Sequence, residues 1–294
     1  MNKLLLLFTL VVFSLHAKAQ RDMSYAQKGS AINLQFPELM ATHGALEIQG
    51  LTRQQYVGFE GRPQSYYLSA AGNVGKINSA FGVVAERNTV GLANTNRWQI
   101  NATHRIGLGE RLVLSPSLAL NYTSYKVGAI PGLNTSIFQG AYYYEALVGT
   151  ALMLDSKYFL AVNYRDHVMQ QGLLYAAGTN YGRLNALIGG TFAIAKVNLT
   201  PQVLVLTDFV TAVTRVSLTA DYRGIIASVS YQNQNDFACA IGYEYKDRYR
   251  LTYAYDVTTS RLGIGFSDVH EIGLRLILFK NKSRRSYLTG VGLL

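Results

Sequence analysis

Residues 94–106 read NTNRWQINATHRI and alternate with a period of two. Thr95, Arg97, Gln99, Asn101, Thr103 and Arg105 fall on one face; Trp98, Ile100, Ala102 and Ile106 fall on the other. Successive side chains of a strand point to opposite sides, so this strand separates a polar medium from an apolar one. After the turn 107–110, residues 111–125 (RLVLSPSLALNYTSY) repeat the pattern. Leu112, Leu114, Pro116, Leu118, Leu120 and Tyr122 share one side, and Ser115, Ser117, Asn121 and Thr123 the other. Long strands with one face for lipid and one for a lumen are the wall elements of a membrane barrel.

Working outward, similar segments recur at 45–56, 64–74, 79–88, 94–106, 111–125, 142–154, 158–168, 181–194, 197–207, 213–222, 224–232, 236–245, 249–256 and 269–278. Every second connection is short (75–78, 107–110, 155–157, 195–196, 223 and 246–248), and the others, notably 126–141, 169–180 and 257–268, are longer. Short periplasmic turns and longer outer loops are the rule for outer-membrane barrels. The pattern predicts an all-β chain: a transmembrane, antiparallel up-and-down β-barrel of about 14 strands with both termini periplasmic.

Composition agrees. Charged residues make up 15% of the chain, against about 25% in soluble domains, alongside 21 Tyr, 12 Phe, 27 Gly and one Trp. The opening MNKLLLLFTLVVFSLHAKAQ has one basic residue (Lys3), an apolar run from Leu4 to Leu15 and a small-x-small site at Ala17–Ala19. That is the pattern of a secretory signal peptide, and the run is shorter than the ~20 residues a spanning helix needs. The expected organisation is a signal peptide over 1–19, a periplasmic segment over 20–44, an outer-membrane barrel over 45–279 and a basic periplasmic tail over 280–294. Outward tyrosines gather toward strand ends, as interfacial girdles do.

The inward faces predict a charged lumen. Glu47, Gln49 and Arg53 come from the first strand, and Arg97, Gln99, Asn101 and Arg105 from the fourth. Asn163, Arg165, His167, Arg183, Asn185, Arg215 and Asp221 follow, then Glu244, Arg250, Asp256, Glu271 and Arg275. Such residues either brace the interior as a mixed-charge network or line a channel for small polar solutes. Fourteen strands lie between filled eight-stranded barrels and open sixteen-stranded porins, so strand number leaves both readings open.

Other chemistry finds little support. Cys239 is alone and the histidines lack metal-ligand spacing, so no cofactor or metal is expected. The net charge is +10, but the basic residues are dispersed in an exported chain, which argues against a nucleic-acid partner. His104 lies on the outward face as a candidate base for lipid hydrolysis. The outward positions of the following strand are leucine and tyrosine and offer no serine nucleophile, so no enzymatic activity is expected.

Residues 53–63, RQQYVGFEGRP, connect the first two strands. Gly58 and Gly61 allow tight turns and Pro63 restrains the start of the second strand. The stretch resembles the RxQWxGFxGAP element of the PorP/SprF family of Bacteroidetes outer-membrane proteins. Arg53, Gln55, Gly58, Phe59, Gly61 and Pro63 match; Tyr56 replaces Trp and Arg62 replaces Ala. Tyr253-Ala-Tyr255-Asp256 followed by His270-Glu271-Ile-Gly-Leu-Arg-Leu is similar to the family's YxYD…SHEISLRY ending, with Val269 in place of Ser. Near the leader, Phe36-Pro37-Glu38 stands where the family has NPA.

The resemblance implies a barrel of the type IX secretion and gliding machinery, integral to the outer membrane of a Gram-negative bacterium. Implied partners are secretion-system components, the C-terminal domain of a secreted surface adhesin, and outer-membrane lipid. Its implied role is to bind or anchor that adhesin domain or the secretion complex; a porin-like diffusion channel is the alternative. An apolar Phe59 in a surface loop predicts that Arg53, Gln55, Tyr56, Gly58, Phe59, Glu60, Gly61 and Pro63 form a plug tucked into the barrel mouth or a partner-binding element. Tyr253, Tyr255, Asp256, His270 and Glu271 form the second motif site.

Overall fold

The computed structural model describes residues 32–42, 46–128, 140–171, 182–233, 236–258 and 268–279. The leader 1–19 and the tail 280–294 lie outside the described residues. Sixteen strand segments form one antiparallel sheet. They are β1 (Leu46–Gln55), β2 (Gln64–Val74), β3 (Ser79–Val90), β4 (Ala93–His104), β5 (Ile106–Gly107), β6 (Leu112–Val127), β7 (Ala141–Leu154), β8 (Tyr158–Gln171), β9 (Arg183–Gly190), β10 (Phe192–Ile194), β11 (Val197–Thr207), β12 (Ala212–Tyr222), β13 (Ile225–Gln232), β14 (Asp236–Tyr245), β15 (Tyr249–Thr258) and β16 (Asp268–Leu278).

Two segments are continuations. β5 prolongs β4 past Arg105 and β10 prolongs β9 past Thr191. The wall therefore has 14 strands, as the alternation predicts. It closes where β16 pairs with β1, from Leu46↔Leu278 to Gln55↔Val269. β1 begins and β16 ends at the same end of the barrel, here the terminal end; the opposite opening is the far mouth.

Connections at the terminal end are tight reversals. Arg223 and Gly224 both take positive φ (54° and 86°), the arrangement that suits strand twist in a two-residue hairpin. A Cβ on Gly224 would stand 2.5 Å from the Glu244 carbonyl oxygen. On β8 the register slips near Tyr144 and Glu145, which face Met169 and His167, leaving Val168 as an extra residue.

The wall is inverted relative to a soluble protein. Trp98 is 60% exposed, whereas Gln99 beside it is 2% exposed. The same holds around the sheet, with Leu68, Val83, Ile100, Leu118, Val148 and Ile241 outward and Ser69, Asn101, Ser117 and Asn163 inward. Only lipid makes such an outer surface favourable, and closure removes the unpaired edges lipid would not tolerate.

The interior departs from the predicted polar lining. Leu51, Tyr67, Val84, Met153, Phe159, Leu187 and Leu204 also face inward and are buried. They cover a segment absent from the predicted architecture: residues 32–42 lie inside the barrel. This corrects the expectation of a periplasmic segment over 20–44, as far as that range is described. Ile32, Phe36 and Leu39 pack on Ala151, Met153, Phe159, Ala161, Leu187 and Leu204. Leu34 packs on Leu51, Tyr67 and Val84, and Met40 with Ala41 on Ala71 and Ala80. Burial of these apolar side chains is what draws the segment out of water.

Candidate functional site

The two motif stretches meet at the closing seam, where Arg53 and Glu271 are 218 residues apart in sequence. Arg53 and Glu271 are cross-strand neighbours on β1 and β16. The Arg53 guanidinium lies 3.0 Å from Glu271 Oε1 and 3.8 Å from Asp256 Oδ2 on β15. Glu271 is fully buried. Arg215 on β12 adds its charge to the same carboxylates and donates to Gln232 Oε1 at 2.9 Å, and Gln232 in turn donates to Asp236 Oδ2 at 3.0 Å. The other members of the C-terminal motif face outward. Tyr253 Oη lies 2.8 Å from His270 Nδ1, and the Tyr255 ring centroid is 5.3 Å from that of His270. Strand alternation thus gives one motif two roles, an inner charge clamp and an outer aromatic cluster.

Nearer the terminal end a second network ties the same seam. Glu244 accepts from Arg250 at 2.7 Å and from Arg275, which lies 3.9 Å from Glu47. Across the barrel, Arg97 pairs with Glu86 at 3.1 Å. Arg165 and His167 each approach Glu145 to 3.8 Å. Arg183, half-buried, is the cross-strand neighbour of Arg165. These ion pairs tie neighbouring strands together, and a buried charge without a partner would be strongly unfavourable.

The inner segment is held by its backbone. A helical turn, Ile32–Gln35, leads through Phe36 into a 3-10 turn, Pro37–Leu39. Its short helices leave carbonyls unsatisfied, and lumen side chains satisfy them. Gln99 and Asn101 both donate to the Asn33 oxygen, at 3.0 and 2.9 Å. Arg165 donates to the Leu34 oxygen and Asn163 to the Gln35 oxygen, both at 2.8 Å. Arg105 donates to the carbonyls of Met40 and Ala41 at 2.6 and 3.3 Å. Glu38 accepts from Asn163 at 2.9 Å and from Ser117 at 3.1 Å. Burial pushes its carboxyl up to about 7, against the pull of those two hydrogen bonds and of the Arg165 charge. Gly149 keeps the wall thin here, because a Cβ on it would lie 3.0 Å from Glu38 Oε2.

The loop after β1 behaves differently from its plug reading. Gln55 N–H donates to the Pro63 oxygen at 3.0 Å and closes the loop, while Tyr56, Gly58 and Gly61 take positive φ. Phe59 is 50% exposed, and Tyr56, Val57 and Glu60 are exposed with it. The loop therefore does not fold into the lumen; the space is occupied by residues 32–42. Instead it leans sideways, the Gly91 N–H donating to the Gly61 oxygen at 2.8 Å. The next connection continues the chain of contacts, with Gly128 N–H donating to Leu92 O at 2.8 Å. Between loop and wall lies a groove of about 350 Å³ lined by Phe59, Glu60, Gly61, Arg62, Thr89 and Gly91.

His104 has a neighbour that the strand faces did not reveal. Ser79 Oγ, at the start of β3, lies 2.9 Å from His104 Nδ1 and donates to Ile77 O at 3.0 Å. The serine comes from the preceding strand, at a turn, where the alternation of the following strand gives no warning of it. The pair ties the turn 75–78 to β4.

A family model described as "Type IX secretion system membrane protein PorP/SprF" matches residues 17–276, a span that holds the seam, the inner segment and both motifs. The chain belongs to the PorP/SprF family. Its membership and its barrel place this PorP/SprF chain as an integral protein of the outer membrane, in a family of type IX secretion. No curated protein matches the sequence at a significant level. Solved structures share the fold at low identity. Omp33 of Acinetobacter baumannii, an outer membrane protein, is 7% identical with a TM-score of 0.52, over 81% of this chain and 100% of its own. The toluene transporter TbuX of Ralstonia pickettii is 12% identical with a TM-score of 0.52, over 86% and 94%. The monoaromatic hydrocarbon channel CymD is 13% identical with a TM-score of 0.50, over 89% and 95%.

Proposed function

We propose that this PorP/SprF barrel binds and retains a type IX-secreted surface protein at the outer membrane, through the C-terminal domain of that client. In this reading the far mouth faces the cell exterior and the loop 56–63 is the docking element. One observation carries it: the lumen is filled by the chain's own residues 32–42, while Tyr56, Val57 and Phe59 stand exposed at the far mouth. Exposed apolar side chains beside a groove are the usual mark of a partner surface. The test is direct binding of a purified client C-terminal domain to the full-length barrel in detergent. Saturable binding that weakens with Phe59→Ser supports the reading; no binding to the wild type rejects it.

The diffusion-channel reading draws on the charged lumen and on the likeness of the fold to solute channels. Planar-bilayer recording separates the two. A barrel whose function is client binding stays silent as the wild type, whereas steady ion-selective openings favour the channel.

A further inference from the structure

At the terminal end, each hairpin turn carries a cation. Lys76 stands in the turn 75–78, Lys157 in 155–157, Lys196 in 195–196, Arg223 in 223–224, and Lys246 with Arg248 in 246–248; all are exposed. The remaining turn, 108–111, supplies Arg111, which pairs with Asp155 of the neighbouring turn and so occupies one of the few acids present. Glu110 and Asp247 are the other acids of these turns. Among the described residues, the connections of the far mouth carry Arg62 against Glu60 and Asp208.

An aromatic band lies just above these cations. Tyr158, Phe192, Tyr222, Tyr243, Tyr245 and Tyr249 are exposed at the terminal ends of their strands. The Arg223 guanidinium is 5.4 Å from the Tyr222 ring centroid, and the Lys246 ammonium 5.0 Å from that of Tyr245. Aromatic girdles mark the level where hydrocarbon meets headgroups. Long basic side chains one or two residues beyond reach the plane of lipid phosphates. We propose that this ring binds the headgroups of anionic glycerophospholipids and holds a selected shell of them around the terminal end. The inference rests on the barrel and its charge distribution, and does not depend on the secretion role.

The single Trp makes the proposal testable. Trp98 faces lipid on β4, whose terminal end, His104, is tied through Ser79 to the turn bearing Lys76. Trp98 lies about 20 Å of strand from His104, within reach of the acyl chains of a lipid whose phosphate sits at Lys76. Full-length protein is reconstituted in phosphatidylcholine vesicles containing increasing fractions of brominated phosphatidylglycerol, or of brominated phosphatidylcholine, and Trp98 quenching is read. The expected result is several-fold preferential quenching by phosphatidylglycerol, reduced by Lys76→Gln and by high salt. Equal quenching by the two headgroups overturns the proposal, as does a preference that neither salt nor Lys76→Gln reduces. Heat-modifiable mobility on gels verifies that the variant is folded. Should Lys76→Gln not fold, the salt titration of the wild type decides.

Discussion

Arg53 shows what a single residue does in this barrel. It sits at the closing joint of the sheet and reaches two carboxylates on two strands, Glu271 and Asp256, that the chain supplies only at its other end. Pairing gives the first and last strands one register, because a shift by one residue would turn Arg53 into lipid. Arg53→Ala takes the guanidinium away from two buried acids and leaves the charge of Arg215 beside them. Removing one partner of a buried pair costs about 3–5 kcal/mol. The variant is therefore expected to lose its heat-resistant folded band at clearly lower temperature than the wild type. Phe59 is the contrasting case. It is exposed, so Phe59→Ser is expected to change stability by no more than about 0.5 kcal/mol in urea unfolding. The same substitution should sharply weaken client binding, which separates docking from folding.

At the scale of elements, the strands were legible and the inner segment was not. Alternation exposed the wall because two media impose opposite demands on neighbouring residues, and β6 and β12–β16 fall within two residues of their expected bounds. The break at Arg105 carries no mark, since burial alternates through it; at Thr191 the alternation fails, with Gly190 and Thr191 both buried and Phe192–Ile194 all exposed, directly after the pair Gly189-Gly190. Residues 32–42 carry Phe36-Pro37-Glu38 where the family has NPA, so the motif gives little guidance there and the apolar content is the stronger signal. The signal was there in two parts. Ile32, Leu34, Phe36, Leu39 and Met40 are too apolar for a solvated linker, and Leu51, Tyr67, Val84 and Leu187 break the polar-inward rule and so require something apolar to cover. The segment also makes stability depend on pH. Glu38 inside the barrel titrates near 7 instead of its ordinary 4.5, so the folded state holds a proton that the unfolded chain releases. Its contribution is complete below about pH 4.5 and is lost as pH rises to about 7. Glu38→Gln keeps the hydrogen-bonding shape without the charge. The unfolding temperatures of variant and wild type are expected to be close at pH 5, and the wild type to be the less stable at pH 8.

For the whole molecule, strand alternation gives the inverted wall, residues 32–42 pack inside it, and the turns of the terminal end add a ring of cations. Within the lumen Arg53, Arg97, Arg250 and Arg275 pair with carboxylates of the wall, and Arg105 and Arg165 donate to carbonyls of the inner segment. Deleting residues 32–42 removes that filling and strips cover from the apolar patch around Phe159 and Leu187. The deletion variant is expected to unfold at lower temperature and, where it still inserts, to conduct in planar bilayers while the wild type stays silent. The role in secretion was legible only through the two end motifs, because partner choice depends on exposed side chains that no folding constraint dictates. The measurement that bears most directly on the central claim is co-purification from native outer membranes. Tagged full-length barrel, gently extracted, should recover a type IX-secreted surface protein through its C-terminal domain, and the Phe59→Ser variant, extracted in equal amount, should recover much less. Recovery of no secreted client by the wild type, or equal recovery by the variant, would contradict the account.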